Sequence, residues 1–149
     1  MSPPRGCTNL KLRQLSRLVT RHYERHFAET GLKITQYSLL SHVVSLAPIR
    51  SGDLAAAMKL SPSALSRNLQ PLLAKRLVDV APGEDARSRI VEATVAGHAV
   101  RASAQRDWKR AQLALNERLG VERVAALHEL IDACVAELDD GSDDDGADA

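Results

Sequence analysis

The hydrophobic positions of the N-terminal third recur at helical spacing. A first helix is predicted to be capped by Thr8 or Asn9 and to end at Gly31, and a second to be capped by Thr35 and to end before Pro48. The inward positions are Leu12, Leu15, Val19, His22 or Tyr23, and Phe27 in the first helix, and Leu39, Leu40, Val43 and Val44 in the second. Each helix is therefore expected to bury one face.

Two further helices are predicted next, joined by a tight turn. The stretch SGDLAAAMK has Ser51 as its N-cap, and the turn KLS leads into a helix that Ser61 caps and Pro62 opens. Pro71 lies inside that fourth helix and predicts a kink or an early end near Gln70. The inward stripe of the fourth helix consists of Leu65, Leu69, Leu72 and Leu73.

From Leu77 the pattern changes to short alternation, which is typical of strands. LVDVA and IVEATVA are predicted to form a β-hairpin whose tip lies near residues 83–88. A long helix follows Gly97 and breaks at Gly120, and a last helix runs from about Val121 to Leu138. The order predicts a mainly α fold, a winged helix-turn-helix flanked by N- and C-terminal helices that need a partner to cover their apolar faces.

The charge distribution sharpens this picture. The chain of 149 residues has 20 basic and 19 acidic residues, but six of the acidic ones lie in residues 139–149, so residues 1–138 carry 20 − 13 = +7. A basic body predicts a polyanionic partner, and the acidic C-terminal segment is expected to be disordered. Hydrophobic residues make up 44% of the chain without any run long enough to cross a bilayer, and a cytoplasmic location is predicted.

Short polar and basic side chains on the fourth helix and at the hairpin tip suit double-stranded DNA. A helix fits the major groove, and arginines on a flexible loop suit the neighbouring minor groove. Asp85, two residues before Arg87, is predicted to orient the guanidinium of that arginine. The predicted DNA contacts are Ser51, Ser61, Ser63, Ala64, Ser66, Arg67 and Gln70 on the helices, with Arg87 and Arg89 at the tip.

Other interpretations of the same residues stay open. The polar side of the fourth helix is also what an ordinary solvated surface looks like, and a basic body also suits a non-specific, architectural DNA-binding protein. An enzyme is not predicted, because GxSxG, GxxxxGK, HExxH and CxxC motifs are absent from the sequence, and no cofactor is expected.

Residues 8–138 resemble the MarR-type transcriptional regulators. The resemblance rests on GLKITQYSLLSHV, on SGDLAAAMKLSPSALSRNLQPLLAKRLV and on DARSRIVEATVAG, with the D-x-R wing and the Thr and Gly that start the next helix. It departs where Arg76 replaces the usual Gly and where Asp79 and Val80 replace a frequently basic residue, which affects the predicted affinity and operator contacts.

The resemblance implies a homodimeric regulator, most often a repressor, on a pseudo-palindromic operator. By this reading residues 1–7 are an extension, residues 8–34 and 98–138 form the dimerisation region, residues 35–97 form the winged helix-turn-helix, and residues 139–149 are the tail. A small phenolic or aromatic ligand between the dimerisation region and the winged helix is also implied. Its speculative contacts are Arg13, Arg17, His22 and His42.

Cysteines and histidines suggest two further inputs. Cys7 lies near the start of the first helix, where peroxide-sensing members of the family carry a reactive cysteine. Counted back from Tyr23, however, the sensor position is occupied by Asn9, and Arg13 stands where the tyrosine partner of the cysteine is expected. A disulfide between Cys7 and Cys134 of two subunits is a second possibility. Histidines spaced i, i+4 at His22 and His26 suit metal binding but lack further ligands, so no metal is predicted.

Overall fold

The structure, a computed structural model, describes residues 1–85 and 87–139 and contains six helices and three short strands within them. The predicted mainly α class is confirmed. Residues 140–149 of the predicted tail lie outside the described residues. The elements are α1 (Thr8–His26), α2 (Ile34–Leu46), β1 (Ile49–Arg50), α3 (Ser51–Ala57), α4 (Pro62–Ala74), β2 (Val78–Pro82), β3 (Arg89–Ala93), α5 (Val95–Leu119) and α6 (Val121–Leu138).

The caps predicted for the first two helices are wrong. The N-cap of α1 is Cys7, and the helix ends at His26, five residues before the predicted Gly31. In α2 the start precedes Thr35, because two side-chain acceptors meet the first amides: Gln36 Oε1 accepts from the Lys33 amide at 3.1 Å, and Glu24 Oε1 accepts from the Ile34 amide at 3.0 Å. Glu24 belongs to α1, so the cap of α2 is partly tertiary.

The fourth helix confirms its predicted start and corrects its predicted end. Ser61 Oγ accepts from the Ala64 amide at 3.2 Å, and Pro62 occupies the first position. Pro71 does not end the helix near Gln70, since α4 continues to Ala74 with Leu69 and Leu72 buried on either side of it. Burial of these leucines compensates for the missing Pro71 amide. In α3 the N-cap is Arg50, one residue before the predicted Ser51.

A left-handed residue ends both helices of the helix-turn-helix. Lys59 and Arg76 each have φ of 56°, a conformation that favours glycine. After α3, the Leu60 amide bonds the Ala55 carbonyl at 2.9 Å, and after α4 the Leu77 amide bonds the Leu72 carbonyl at 2.9 Å. These are Schellman motifs, which satisfy the last carbonyl groups and turn the chain sharply. Arg76 therefore occupies a left-handed position that glycine would adopt without strain.

The strands form one antiparallel sheet in the order β1-β3-β2. The predicted hairpin is confirmed: β2 pairs with β3 from Val78↔Ala93 to Pro82↔Arg89, and the Gly83 amide bonds the Ser88 carbonyl at 2.8 Å. The third strand, β1, was not predicted. It pairs with β3 through Ile49↔Val91 and Arg50↔Ile90, so the sheet connects the hairpin to the chain directly before α3.

The chain divides into two units, residues 1–111 and residues 112–149. In the first, the core is mostly leucine and valine. Tyr37 contacts the tilted ring of Phe27 at 5.3 Å and stacks on Trp108 at 6.5 Å, measured between ring centroids. Its fully buried side chains are Phe27, Leu39, Leu40, Val43, Leu54, Leu65, Leu72, Val78 and Val91. No helix within the described ranges is long and apolar enough to span a membrane.

The start of α5 is fixed against the end of α4. Thr94 Oγ1 donates to the Arg76 carbonyl at 2.8 Å and accepts from the Gly97 amide at 2.9 Å, and the Thr94 amide bonds the Leu77 carbonyl at 3.0 Å. A Cβ at Gly97 would lie 2.0 Å from the oxygen of Leu77. Helix α5 therefore starts before Gly97, at Val95, with Gly97 allowing the close approach.

In the C-terminal unit, the described residues are the end of α5 and all of α6. Gly120, with φ of 90°, separates the two helices as predicted. The bounds predicted for the last helix, Val121 to Leu138, are confirmed. Val124 is buried, whereas most other residues of α6 are exposed.

Candidate nucleic-acid interface

The outer face of α4 is set by which of its leucines are buried. Leu65, Leu69 and Leu72 are at most 5% exposed, and they fix the rotation of the helix about its axis. Ser63, Arg67 and Gln70, spaced four and three residues apart, are exposed. In an α-helix this spacing places the three side chains on one face, opposite the buried stripe. The face is polar, carries one cation and is exposed, so it can contact a surface as large as the groove of a DNA duplex.

The other residues predicted on these helices have different surroundings. Ser61 and Ser66 are exposed, whereas Ala64 is half-buried and its amide is used by the Ser61 cap. Ser51 is half-buried at the first position of α3. Asn68, which was not predicted, is exposed beside Arg67. Its amide side chain is of the kind that bonds adenine, so Asn68 is a further candidate contact.

The tip of the hairpin presents Arg87 and Arg89, both exposed. Its backbone is organised by Asp85, whose Oδ1 accepts from the amides of Arg87 and Ser88, each at 2.9 Å. Ser88 Oγ donates back to the Asp85 carbonyl at 3.3 Å. The turn that carries the arginines is therefore closed by a side chain, in the manner of an Asx turn.

Asp85 contacts a different group from the one predicted. The sequence suggested the Arg87 guanidinium as its partner, but in the structure the carboxylate bonds the backbone amides of residues 87 and 88. These amides, first that of Arg87 and then that of Ser88, lower the pKa of the Asp85 carboxyl below its ordinary value of 3.8, with a smaller contribution from the charge of Arg50. Asp85 is thus a carboxylate at neutral pH.

The four residues suggested as ligand contacts have different surroundings: two are exposed, and two form hydrogen bonds within the protein. Arg13 and Arg17 are exposed on α1. His22 is buried, and its Nε2 donates to the Ala111 carbonyl at 2.8 Å, which ties α1 to α5. His42 Nδ1 donates to the Ser38 carbonyl at 2.8 Å within α2. Both histidines therefore have structural hydrogen bonds in the described part of the chain.

Two buried polar atoms without a partner were missed by the sequence reasoning. Ser41 Oγ in α2 and Arg101 Nε in α5 are inaccessible to solvent and have no hydrogen-bond partner among the described residues. A buried donor without a partner is costly, and such groups commonly mark the place where a water molecule or a ligand binds. Neither is recognisable from sequence, because serine on a helix and arginine near a helix start are ordinary surface residues.

The cysteines and histidines form no metal or disulfide centre in the described ranges. Cys7 and Cys134 are both free and exposed, and they belong to different units of the chain. Across residues 1–85 and 87–139, no group of three or more potential metal ligands is found. His26 Nδ1 donates to the His22 carbonyl at 3.1 Å, and His22 Nε2 donates to the Ala111 carbonyl, so both rings of this i, i+4 pair already bond backbone carbonyl groups.

Two short helices with a tight turn, followed by a hairpin with arginines at its tip, define a winged helix-turn-helix protein. The pattern of the MarR family matches residues 30–88. The transcriptional regulator MOSR of M. tuberculosis, solved in complex with DNA, is 31% identical, with a TM-score of 0.72 over 87% of this chain and 98% of that one. The chain belongs to the MarR family of transcriptional regulators, whose members are not enzymes.

Two further solved structures share the fold at lower identity. A mutant MarR of E. coli complexed with operator DNA is 21% identical, with a TM-score of 0.76 over 85% of this chain and 92% of that one. The transcriptional repressor CouR, bound to a DNA duplex, is 20% identical, with a TM-score of 0.77 over 91% of this chain and 99% of that one. No curated protein matches the chain.

Proposed function

We propose that this protein is a sequence-specific, DNA-binding transcriptional regulator that places α4 in the major groove and the hairpin tip in an adjacent minor groove. The observation that carries the proposal is the outer face of α4, where Ser63, Arg67 and Gln70 are exposed opposite three buried leucines. The major groove is about 12 Å wide and admits one α-helix. The wing that follows α4 in the same unit carries two exposed arginines.

The side chains divide into base-reading and phosphate-binding roles. Arg67 is suited to bond O6 and N7 of a guanine together, which contributes about 1–3 kcal/mol of discrimination against other bases. Ser61, Ser63 and Ser66 suit phosphate oxygens or base edges. Arg87 and Arg89 at the tip are attracted to the negative potential of a narrow minor groove.

The active form is proposed to be a homodimer. Apolar side chains on α6, spaced four and three residues apart, are between 41% and 83% exposed: Ile131, Val135 and Leu138. On α1, Leu10, Leu12 and Leu18 are each more than half exposed. A monomer in water rarely exposes this many large apolar groups, whereas a subunit interface covers them. Two copies related by a two-fold axis would bind a pseudo-palindromic operator.

Repression that a small aromatic ligand releases belongs to the same proposal. The buried Ser41 Oγ and Arg101 Nε, which have no partner among the described residues, would suit a ligand with a phenolic or carboxylate oxygen. Oxidation of the exposed Cys7 or Cys134 is a second way of releasing DNA. A cytoplasmic location follows from the proposed DNA partner.

The test is to select DNA fragments with the purified protein and to titrate the selected duplex against random duplex at one salt concentration. A specific regulator is expected to bind the selected duplex about 10³-fold or more tightly, with two chains per duplex. Equal affinity for both duplexes would contradict this proposal and would favour a non-specific architectural protein.

A further inference from the structure

The hairpin tip has no net charge of its own. Residues 83–89 contain two acidic side chains, Glu84 and Asp85, and two basic ones, Arg87 and Arg89, so their sum is 2 − 2 = 0. All four are exposed. A tip that is neutral overall gains little from long-range attraction to a polyanion, because the two signs oppose each other in solvent. A further basic residue near the wing would change this balance.

Arg50 is the basic residue that the sheet brings to the foot of the wing. It forms β1 with Ile49 and lies opposite Ile90, the neighbour of Arg89 on β3. It also directly precedes Ser51, the first residue of α3. Arg50 lines an open cleft of about 700 Å³ together with Gly83 and Glu84 at the start of the tip.

The side chain of Arg50 is exposed and is not held by an acidic partner. Among residues 1–85 and 87–139, no ion pair and no hydrogen bond of the Arg50 guanidinium is found. Its charge nevertheless acts on the wing, since it contributes to the lowered pKa of Asp85. Asp53 and Glu84 line the same cleft, and Arg50 offsets one of these two negative charges.

Strand β1 connects the helix-turn-helix to the wing, and these connections determine what Arg50 would meet. Strand β1 leads without a linker into the helix-turn-helix, and it pairs with the strand that follows the wing tip. If α4 occupies the major groove and the tip occupies the next minor groove, the phosphodiester backbone separates the two. A side chain on the strand that joins these two parts of the winged helix is therefore expected to meet phosphates rather than base edges.

We propose that Arg50 is a fourth arginine of the DNA interface, beside Arg67, Arg87 and Arg89, which binds a backbone phosphate and so positions the wing relative to α4. This inference rests on the proposed function. Arginine suits the role because its planar guanidinium bonds phosphate with two parallel donors. The sequence reasoning overlooked Arg50, since a lone arginine before a helix resembles any surface residue.

The experiment measures the dissociation constants of the selected and random duplexes between 50 and about 200 mM KCl, a range over which phosphate contacts change affinity strongly. The chains compared are the unaltered protein, Arg50→Gln, Arg50→Lys and Arg106→Gln. Arg106 is an exposed arginine of α5 and serves as the matched loss of one charge outside the winged helix. Circular dichroism and the unfolding midpoint establish that each variant is folded.

Arg50→Gln is expected to weaken binding to both duplexes by the same factor and to reduce the slope of log affinity against log salt by about 0.9, the value for one phosphate. Arg50→Lys is expected to keep the slope, because it keeps the charge. Arg106→Gln is expected to keep the slope as well.

Three results would overturn the role of Arg50. The salt slope of Arg50→Gln could equal that of the unaltered protein. The salt slope of Arg50→Lys could fall as much as that of Arg50→Gln. Finally, Arg50→Gln could lose affinity for the selected duplex alone. If Arg87→Ala weakens binding while Arg50→Gln does not, only this inference fails. If the unaltered protein binds neither duplex, the proposed function fails and this inference fails with it.

Discussion

Asp85 shows how one side chain holds the backbone that carries two arginines. Its Oδ1 accepts two backbone amides at 2.9 Å, and both belong to residues of the tip itself. If the tip binds DNA as proposed, a turn that is fixed beforehand lowers the conformational entropy that binding must remove. The two arginine side chains can then change rotamer while the backbone of the turn keeps its conformation.

Replacing Asp85 separates this backbone role from a direct role on Arg87. Asp85→Ala removes both acceptors and is expected to weaken DNA binding several-fold, because the tip must then be ordered on binding. Asp85→Asn keeps an amide oxygen at the same place and is expected to bind much closer to the unaltered protein. Titrations of one duplex with both variants check this. If Asp85→Asn weakened binding as much as Asp85→Ala, the negative charge of Asp85 acting on the Arg87 guanidinium would matter instead.

The lowered pKa of Asp85 also fixes the direction of its pH dependence. The folded-state pKa lies below the ordinary value of 3.8. The contribution of Asp85 to the stability of the folded chain is therefore fully present above that value, and it is lost as the pH falls through the folded-state pKa. Around neutral pH no change from Asp85 is expected.

At the residue scale, spacing predicted which residues are neighbours but not which atoms bond. The i, i+2 offset of Asp85 and Arg87 suits both a guanidinium and an amide partner, and only the backbone dihedrals of the turn decide between them. His22 is similar: its helical position was predicted, but its partner, the Ala111 carbonyl, lies 89 residues away. Such contacts depend on the packing of α1 against α5, which the sequence does not encode locally.

At the element scale, the junction of Leu77, Thr94 and Gly97 joins the end of α4 to the start of α5. Gly97→Ala would put a Cβ at 2.0 Å from the Leu77 oxygen, which belongs to the backbone and cannot move alone. We expect this variant to lose about 1–3 kcal/mol of unfolding free energy, or more, by overpacking. Chemical denaturation measures the loss.

Gly52→Ala is the matched control for that measurement. Gly52 is also helical, but a Cβ there would meet nothing within 4 Å. Its replacement by alanine is expected to be neutral or to raise stability by up to about 1 kcal/mol, because alanine is the better helix former. Equal losses at Gly97 and Gly52 would contradict the close approach at Leu77.

Elements were predictable where the pattern was long and regular. The start of α4, the hairpin and the bounds of α6 followed from cap residues, alternation and Gly120. The strand β1 was not predicted, since two residues are too short to show a period of two and the strand exists only by pairing with β3. The early end of α4 predicted near Gln70 was wrong, because burial of Leu69 and Leu72 outweighs the loss of one helical hydrogen bond.

At the scale of the whole molecule, the charge and the exposed apolar residues describe one kind of protein. Residues 1–138 carry +7, and the winged helix presents arginines on α4, on β1 and at the hairpin tip. The apolar residues exposed on α1 and α6 lie outside the winged helix-turn-helix. A subunit interface and a DNA interface would therefore use different parts of the chain, as a dimer on a two-fold operator requires.

The most direct test of the account compares Arg67→Ala with Arg87→Ala on the selected duplex and on duplexes with single base changes. Arg67→Ala is expected to relax preference at one base pair by about 1–3 kcal/mol, because a base-reading contact is lost. Arg87→Ala is expected to weaken all duplexes alike and to lower the salt slope by about 1. If Arg67→Ala kept the full preference at every base pair, α4 would not be the element that reads the DNA sequence.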